Sequence, residues 1–383
     1  MPIDSSNSND DSRHWFSPIA NHRLRHFSAS SQQGIRITLA GQSLINFSSN
    51  DYLGLRNHPK LKEAAIAAIQ CDGIGSGASR LISGDHPQLH DLETQLAMWK
   101  GYEACLVVGS GMLANIGLIQ ALADRHTHIF SDKLNHASLL DGVRLSGAVS
   151  HRFAHCNNKQ LTSLLDKHTA QKRIIVSDGV FSMDGDCADV QTLLQQAEAH
   201  RTLLIIDDAH GTACIGQQYR GLTADIAGHT RLIEVGTFGK AFGGYGAFIL
   251  GTRELIEGLR QRMRTMIYST SLPAAIPAAM LAALPIIQKG NLQEKLHANL
   301  KLFREHTHGL KLLPSNTAIQ ALIIGQDIDA LHASQTLHDA GFFVAAIRPP
   351  TVPEGTARLR ITLSAAHTSE HIKALSKALK ALP

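Results

Sequence analysis

Along residues 85–101, apolar side chains fall at Leu89, Leu92, Leu96 and Trp99, the spacing of one helix face. The stretch opens on Asp85, has Gln88 three residues on and stops at Gly101, so it predicts a helix with Asp85 as its N-cap. Beyond it the pattern alternates between short apolar runs and amphipathic stretches. "ACLVV", "HIF", "RIIVS", "TLLIID", "LIEVGTF" and "AFIL" read as strands, with helical stretches such as "DVQTLLQQAEAH" between several of them. Strand–helix alternation of this kind predicts a mostly parallel sheet covered by helices. After about residue 290 the character changes. "LHANLKLFREHTHGL" reads as a helix, "AIQALIIG", "FFVAAI" and "ARLRITL" as strands, and "SEHIKALSKALKAL" as a closing amphipathic helix. The expected class is α/β. Residues 1–55 form an N-terminal segment, a polar tail and then an arm near the site. Residues 56–289 form a large domain, and residues 290–383 a smaller α+β C-terminal domain.

Length supports that division, because 383 residues exceed one ordinary core. With 44% hydrophobic and 18% charged residues, the chain reads as a soluble globular protein. A net charge of +4 without a Lys/Arg block gives no reason to expect nucleic acid as a partner. The five cysteines are scattered and free of C-x-x-C spacing, the pattern of reduced thiols in a cytoplasmic protein. Residues 1–14 are polar, with no apolar core of a signal peptide. Two uncharged stretches imitate membrane spans. Cys105–Ala123 carries three glycines, and Ser271–Gln288 carries three prolines, so both read better as buried elements than as spans.

Candidate chemistry gathers where strands end. "GTFGKAFGGYGAFIL" holds one charged residue, Lys240, among glycines and phenylalanines. A P-loop is excluded by spacing, since Glu234 and Ala241 stand where a glycine and a hydroxyl are needed. What remains is a snorkelling surface lysine or a Schiff-base lysine in a desolvated, permissive loop. "VVGSGMLAN" follows a strand and opens a helix, which suits an anion. It also fits G-x-G-x-x-A through Gly109, Gly111 and Ala114, and Asp132 ends a later strand, so a nicotinamide enzyme is a rival. His136 stands in a polar turn, as a helix-capping or surface residue or as a stacking partner for a flat ring. Ser182 lies in the loop "DGVFSMDGD", where Asp184 and Asp186 read as solvated carboxylates. "TLLIIDDAHG" runs straight into Asp207, at the sheet edge where open α/β folds bind ligands, with His210 close behind. A metal held by Asp207, Asp208 and His210 lacks a second ligand pair at metal-site spacing, and no metal is expected. A phosphate-type turn, a ring-stacking histidine, a strand-end acid and an amine are together the four requirements of pyridoxal phosphate, with Lys240 forming the Schiff base. A nicotinamide enzyme leaves Lys240 and Asp207 without a role.

Several motifs are specific: "NFSSNDYLGL", "GIGSGASR", "LNHASLLDG", "GVFSMDGD", "DDAHGT", "TFGKAFG", "IYSTSLP" and "IRPPTVPEGTARLRIT". From about residue 20 onward the chain resembles the pyridoxal-phosphate-dependent α-oxoamine synthases. The resemblance implies pyridoxal-phosphate fold type I, with catalytic roles for Lys240, His136 and Asp207. It implies that Asp207 faces the ring nitrogen, that His136 stacks on the ring, and that Ser182 and His210 contact the phenolic oxygen side. Gly111, Met112 and Thr237 would hold the phosphate. Family members are homodimers with shared active sites, so Thr270 and Ser271 would reach the partner's phosphate. Arg23, Asn50, His136, Arg348, Thr351 and Arg360 would bind substrate. Arg360 would clamp the amino acid's carboxylate, and Arg23 and Thr351 would take the far carboxylate of the acyl chain. Met112 stands where relatives often carry an aromatic, and Asp178 where a Glu is frequent. "IRPPTVP" favours the biotin-pathway branch, which condenses L-alanine with a pimeloyl thioester of coenzyme A or acyl carrier protein. The glycine-using acetyltransferase and 5-aminolevulinate branches are the alternatives. By strand alternation alone, Arg358 and Arg360 fall on the solvent face of "TARLRITL".

Overall fold

The computed structural model describes residues 15, 19–20, 23–24 and 27–382, so the polar tail over 1–14 lies outside the described residues. Three short strands come first: β1 (Ser30–Gln33), β2 (Arg36–Leu39) and β3 (Gln42–Asn46), an antiparallel meander. Helices α1 (Pro59–Asp72) and α2 (Pro87–Lys100) follow. The cap of α2 differs from expectation. His86 takes the N-cap position and accepts from the Gln88 amide, with Pro87 opening the helix. Asp85 is drawn off instead to Arg80 and His90, at 2.7 Å each. Gly101 ends the helix in a left-handed conformation.

The chain then alternates: β4 (Ala104–Val108), α3 (Gly111–Leu122), β5 (His128–Asp132), α4 (Ala137–Ser146), β6 (Val149–Phe153) and α5 (Asn158–Lys167). It continues with β7 (Arg173–Asp178), α6 (Val190–Ala199), β8 (Leu203–Asp207), β9 (Leu232–Thr237) and β10 (Ala247–Gly251). These strands form one seven-stranded sheet in the order β4-β10-β9-β8-β7-β5-β6. All run parallel except β10, which is antiparallel to both neighbours. The uninterrupted apolar runs have a direct cause. Val107, Phe130, Ile175 and Ile206 enter the core on one face, while Leu106, Ile129, Val176 and Ile205 enter the core on the other. A strand covered on both sides has no solvent face to make polar. Edge strand β6, "VSHRF", escapes sequence reading because most of it is exposed and it carries no apolar run.

On the second core's face, α3 and α4 pack closely against each other. Gly142 permits this approach, since a Cβ there would lie 3.1 Å from the Asn115 carbonyl oxygen. Helices α7 (Arg253–Arg262), α8 (Arg264–Ile267) and α9 (Ala275–Gln288) come next, and α9 accounts for the proline-bearing uncharged stretch. No helix among the described residues is long and apolar enough to cross a membrane.

The last part contains α10 (Asn291–His306), β11 (Ile319–Gly325), α11 (Asp327–Asp339), β12 (Phe342–Phe343), β13 (Ala345–Ile347), β14 (Ala357–Thr362) and α12 (Ser369–Lys380). "FFVAAI" is two strands, because its partner changes midway. β12 pairs in parallel with β3, while β13 pairs with β14. Residues 30–46 are thereby joined to the C-terminal part in one four-stranded sheet. β14 is the centre of a separate three-stranded sheet, β11-β14-β13, and every one of its positions is buried. The solvent face expected for Arg358 and Arg360 does not exist, because that face turns inward onto the loop after β7. Arg358 pairs there with Asp184, and Arg360 donates to the Ser182 carbonyl oxygen.

Candidate active site

The carboxyl ends of the parallel strands lie along one edge, and a cavity of about 210 Å³ opens there. Its lining includes Gly111 and Met112 after β4, His136 after β5, Asp178 at the end of β7 and Ser182 just beyond. Asp207 ends β8, His210 follows it, and Thr237 and Lys240 come after β9. Residues far apart in sequence converge because each parallel strand delivers its following loop to the same side.

Lys240 sits on a loop fixed at both flanks. Phe238 and Phe242 are fully buried and pack edge to face with centroids 5.4 Å apart. The Gly243 amide donates to the Lys240 carbonyl oxygen at 2.9 Å. Gly243 has φ +69°, and a Cβ there would stand 2.3 Å from the Arg56 nitrogen, so only glycine closes this turn. The Lys240 amine has neither an ion pair nor a hydrogen bond among the described residues. Burial is the main cause that brings its pKa down to about 8, against the pull of Asp207 and Asp178. Lys100 shows the contrasting case. Fully buried, it is paired with Glu234 and Asp208 and donates to Thr212 and the Arg220 carbonyl oxygen. The fold compensates the charge of Lys100; Lys240 faces a cavity without a partner among the described residues.

The pKa of Lys240 has a measurable consequence. In the cofactor-free protein the amine is neutral above about pH 8, whereas exposed lysines stay protonated to about pH 10.4. Limiting acetic anhydride at pH 8.5, read by peptide mass spectrometry, labels Lys240 ahead of the surface lysines, with a midpoint near pH 8. Labelling no faster than that of a surface lysine overturns the assignment. The linkage has the corresponding sign. Between about pH 8 and 10.4 the unfolded chain holds more protons at this site, so its contribution to stability rises with pH across that window.

Asp207 is the second anchor. Its Oδ2 accepts from Asn115 Nδ2 at 2.6 Å, and its Oδ1 accepts from the Ala209 amide at 3.1 Å. No cation pairs with this buried carboxylate among the described residues. Asn115 also donates to Ser138 Oγ at 2.8 Å, and Ser138 Oγ lies 2.7 Å from His136 Nδ1. His136 therefore caps α4 through Nδ1 while its ring lines the cavity. Asp178 pairs in register with Asp207 across β7 and β8. Burial, compounded by the Asp207 charge, lifts Asp178 well above the usual carboxylate range. Its Oδ2 accepts from the His136 amide at 3.1 Å. His210 Nδ1 lies 2.6 Å from the Tyr52 hydroxyl, which donates to Asn50 Oδ1 at 3.2 Å. Both Arg360 guanidinium ends reach the same Asn50 oxygen at 3.3 Å. Sequence reading missed Asn115, Ser138 and Tyr52. Asn115 left one trace, as a polar residue within the otherwise apolar start of α3.

The cavity does not gather every candidate. Arg23 lies outside its lining, with its guanidinium 3.0 Å from Asp327 and 2.7 Å from Glu354. Thr351 is exposed in the loop after β13, and its amide donates to the Arg348 carbonyl oxygen. Thr270 and Ser271 border a separate small cavity, and the Ser271 amide donates to the Ala78 carbonyl oxygen. The nicotinamide alternative meets an obstacle at Asp132. Its oxygens accept from the Leu134 and Cys156 amides and contact His155, which leaves the carboxylate committed within the fold. Asp207 and Asp208 point to opposite sides, the latter toward Lys100, so they do not form a shared metal site.

Fold and site define a pyridoxal-phosphate enzyme of fold type I, and the aminotransferase class I and II family model matches residues 42–379. Within that class, the chain belongs to the 8-amino-7-oxononanoate synthase family. The protein of that name from Saccharophagus degradans is 46% identical over 359 residues, covering 92% of this chain and 90% of that one. A solved 8-amino-7-oxononanoate synthase from Francisella tularensis is 30% identical, with TM-score 0.76, covering 88% of this chain and 97% of its own. A serine palmitoyltransferase from S. paucimobilis, solved with a bound pyridoxal phosphate–myriocin adduct, is 26% identical with TM-score 0.88. That match covers 93% of this chain and 91% of the other.

Proposed function

We propose that this protein condenses L-alanine with a pimeloyl thioester in biotin biosynthesis, giving 8-amino-7-oxononanoate, carbon dioxide and free thiol. The observation that carries the reading is the pair of uncompensated groups facing one cavity. Lys240 is an amine without a partner, and Asp207 is a buried carboxylate without a cation. Pyridoxal phosphate complements both. Lys240 would hold its aldehyde carbon and Asp207 its ring nitrogen, and the bound group would supply the electron sink for carbanion chemistry at the substrate Cα.

The chain's own groups then divide the work. The amides of Gly111 and Met112, at the start of α3, have no intrahelical acceptor and suit the phosphate together with Thr237 Oγ1. Asn115 fixes Asp207, so the carboxylate keeps its orientation. His136 offers a ring face, and Ser182 and His210 stand on the oxygen side. Lys240, whose amine burial brings to a pKa of about 8 in the cofactor-free protein, would take the alanine Cα proton. A carbon–carbon bond forms between alanine Cα and the thioester carbonyl carbon as the thiolate leaves, the alanine carboxylate then departs as carbon dioxide, and Cα takes up a proton in its place. In a homodimer, Thr270 and Ser271 of a second copy would complete the phosphate site.

For the alanine carboxylate we assign Arg360. It is buried and pairs with no carboxylate among the described residues, whereas its neighbour Arg358 already holds Asp184. Arg360→Lys raises KM for alanine at least tenfold more than KM for the thioester, because an ammonium lacks the planar fork. Equal effects on both constants would assign Arg360 to folding instead. Arg23, beside Glu354 in the loop that carries Arg348 and Thr351, is assigned with those two residues to the far carboxylate of the acyl chain. Product analysis tests the function itself. Alanine with pimeloyl-CoA yields 8-amino-7-oxononanoate, and faster turnover of glycine with acetyl-CoA or succinyl-CoA would favour the glycine-using branches.

A further inference from the structure

At the opposite end of the sheet from the cavity, three histidines meet. His128 is the first residue of β5, and His151 lies on the neighbouring edge strand β6. His151 is in register with Phe130, so His128 and His151 project from the same face of the sheet. His168 caps the carboxyl end of α5. We propose that His128, His151 and His168 form a binding site for a zinc-like, late first-row divalent cation.

The geometry suits such an ion. His151 Nε2 lies 3.2 Å from His128 Nδ1. Two nitrogens bound to one tetrahedral zinc at ~2.0–2.1 Å stand about 3.3 Å apart. One nitrogen from each of the three rings lies within 4.8 Å of the others. His168 has no hydrogen bond to either ring nitrogen among the described residues; its ring stacks on that of His151 with centroids 4.1 Å apart, so it turns about its side-chain torsions to aim a nitrogen at the same ion. No carboxylate pairs with any of the three rings among the described residues. Each is half-buried, which leaves a path for the ion and an open position for water. Imidazole donors alone select zinc, nickel, cobalt or copper over magnesium or calcium.

A second cluster, Asp132, His155 and Cys156, is a different object. Both nitrogens of His155 are already engaged, by Asp132 at 3.1 Å and Asp186 at 2.7 Å. Those carboxylates raise its pKa to about 12, so it is an imidazolium clamp rather than an open ligand. The three-histidine site joins β5, edge strand β6 and the end of α5, and a bound ion would tie those elements together away from the chemistry.

The test titrates metal-free holoenzyme with Zn²⁺ by calorimetry and with Co²⁺ by visible absorption. One equivalent binds at micromolar concentration, Co²⁺ gives d–d bands of a low-coordinate nitrogen site, and amide exchange in β6 slows. His151→Ala and His168→Gln each weaken that equivalent at least tenfold and leave metal-free turnover unchanged, while Cys156→Ser binds as the parent does. Should His151→Ala fail to fold, His168→Gln at the half-exposed helix end decides. Absence of the equivalent, unchanged affinity in the folded histidine variants, or its loss in Cys156→Ser overturns the proposal.

Discussion

Lys240→Ala abolishes turnover, and borohydride no longer links the cofactor to the protein. Among the described residues the cavity lining holds no other amine, and the buried Lys100 is sequestered by Glu234 and Asp208 on the far side of β8 and β9. Two functions are lost together, the covalent attachment and the base that takes the Cα proton. Lys240→Arg is equally inactive although it keeps the charge, because a guanidinium does not deprotonate near pH 8. Cofactor binding itself persists in weakened form, since phosphate and ring contacts remain. Turnover by Lys240→Ala within tenfold of the parent would refute the proposed role of the cavity.

Asp207→Asn slows exchange of the alanine Cα proton, followed by NMR in deuterated water without thioester, by at least about 100-fold. Removing one partner of a buried charge pair costs ~3–5 kcal/mol, and a ring nitrogen left without its anion gives up its proton. Asn115→Leu is a graded version of the same experiment. It removes one hydrogen bond to a charged acceptor, worth ~1.5–3 kcal/mol, and leaves Asp207 ionised but less well oriented. The expected order of exchange rates is parent, then Asn115→Leu, then Asp207→Asn. An exchange rate in Asp207→Asn equal to that of the parent removes Asp207 from the ring nitrogen.

Much of the fold was legible because each central strand is buried on both faces and is written as a short apolar run. The same rule hid β6, whose position at the sheet edge needs no such run. It also misread β14. Alternation along "ARLRIT" correctly separated the arginines from the aliphatic residues, yet the arginine face looks onto the loop holding Ser182 and Asp184 rather than onto water. Local sequence gives the period of a strand and says nothing of what stands against its polar face. The N-cap of α2 fails for a related reason. Asp85 is a sound cap by type, but Arg80 and His90 compete for it, and His86 has the amide within reach.

The sequence by itself determined the class of the sheet, the strand-end positions of Asp207 and His136, the loop that carries Lys240 and the family motifs. These are properties of short segments, set by period, turn chemistry and residue type. Only the tertiary structure decided which charges are compensated. Lys100 and Lys240 are one residue type in two apolar neighbourhoods, and Arg358 and Arg360 are two residues apart on one strand. In each pair one member meets a carboxylate brought in from elsewhere and the other meets none among the described residues. The meeting of His128, His151 and His168 belongs to the same category, because β5, β6 and α5 are brought together by sheet order and helix packing. Burial makes an unpaired charge costly, and whether a charge is paired depends on contacts between segments far apart in the chain.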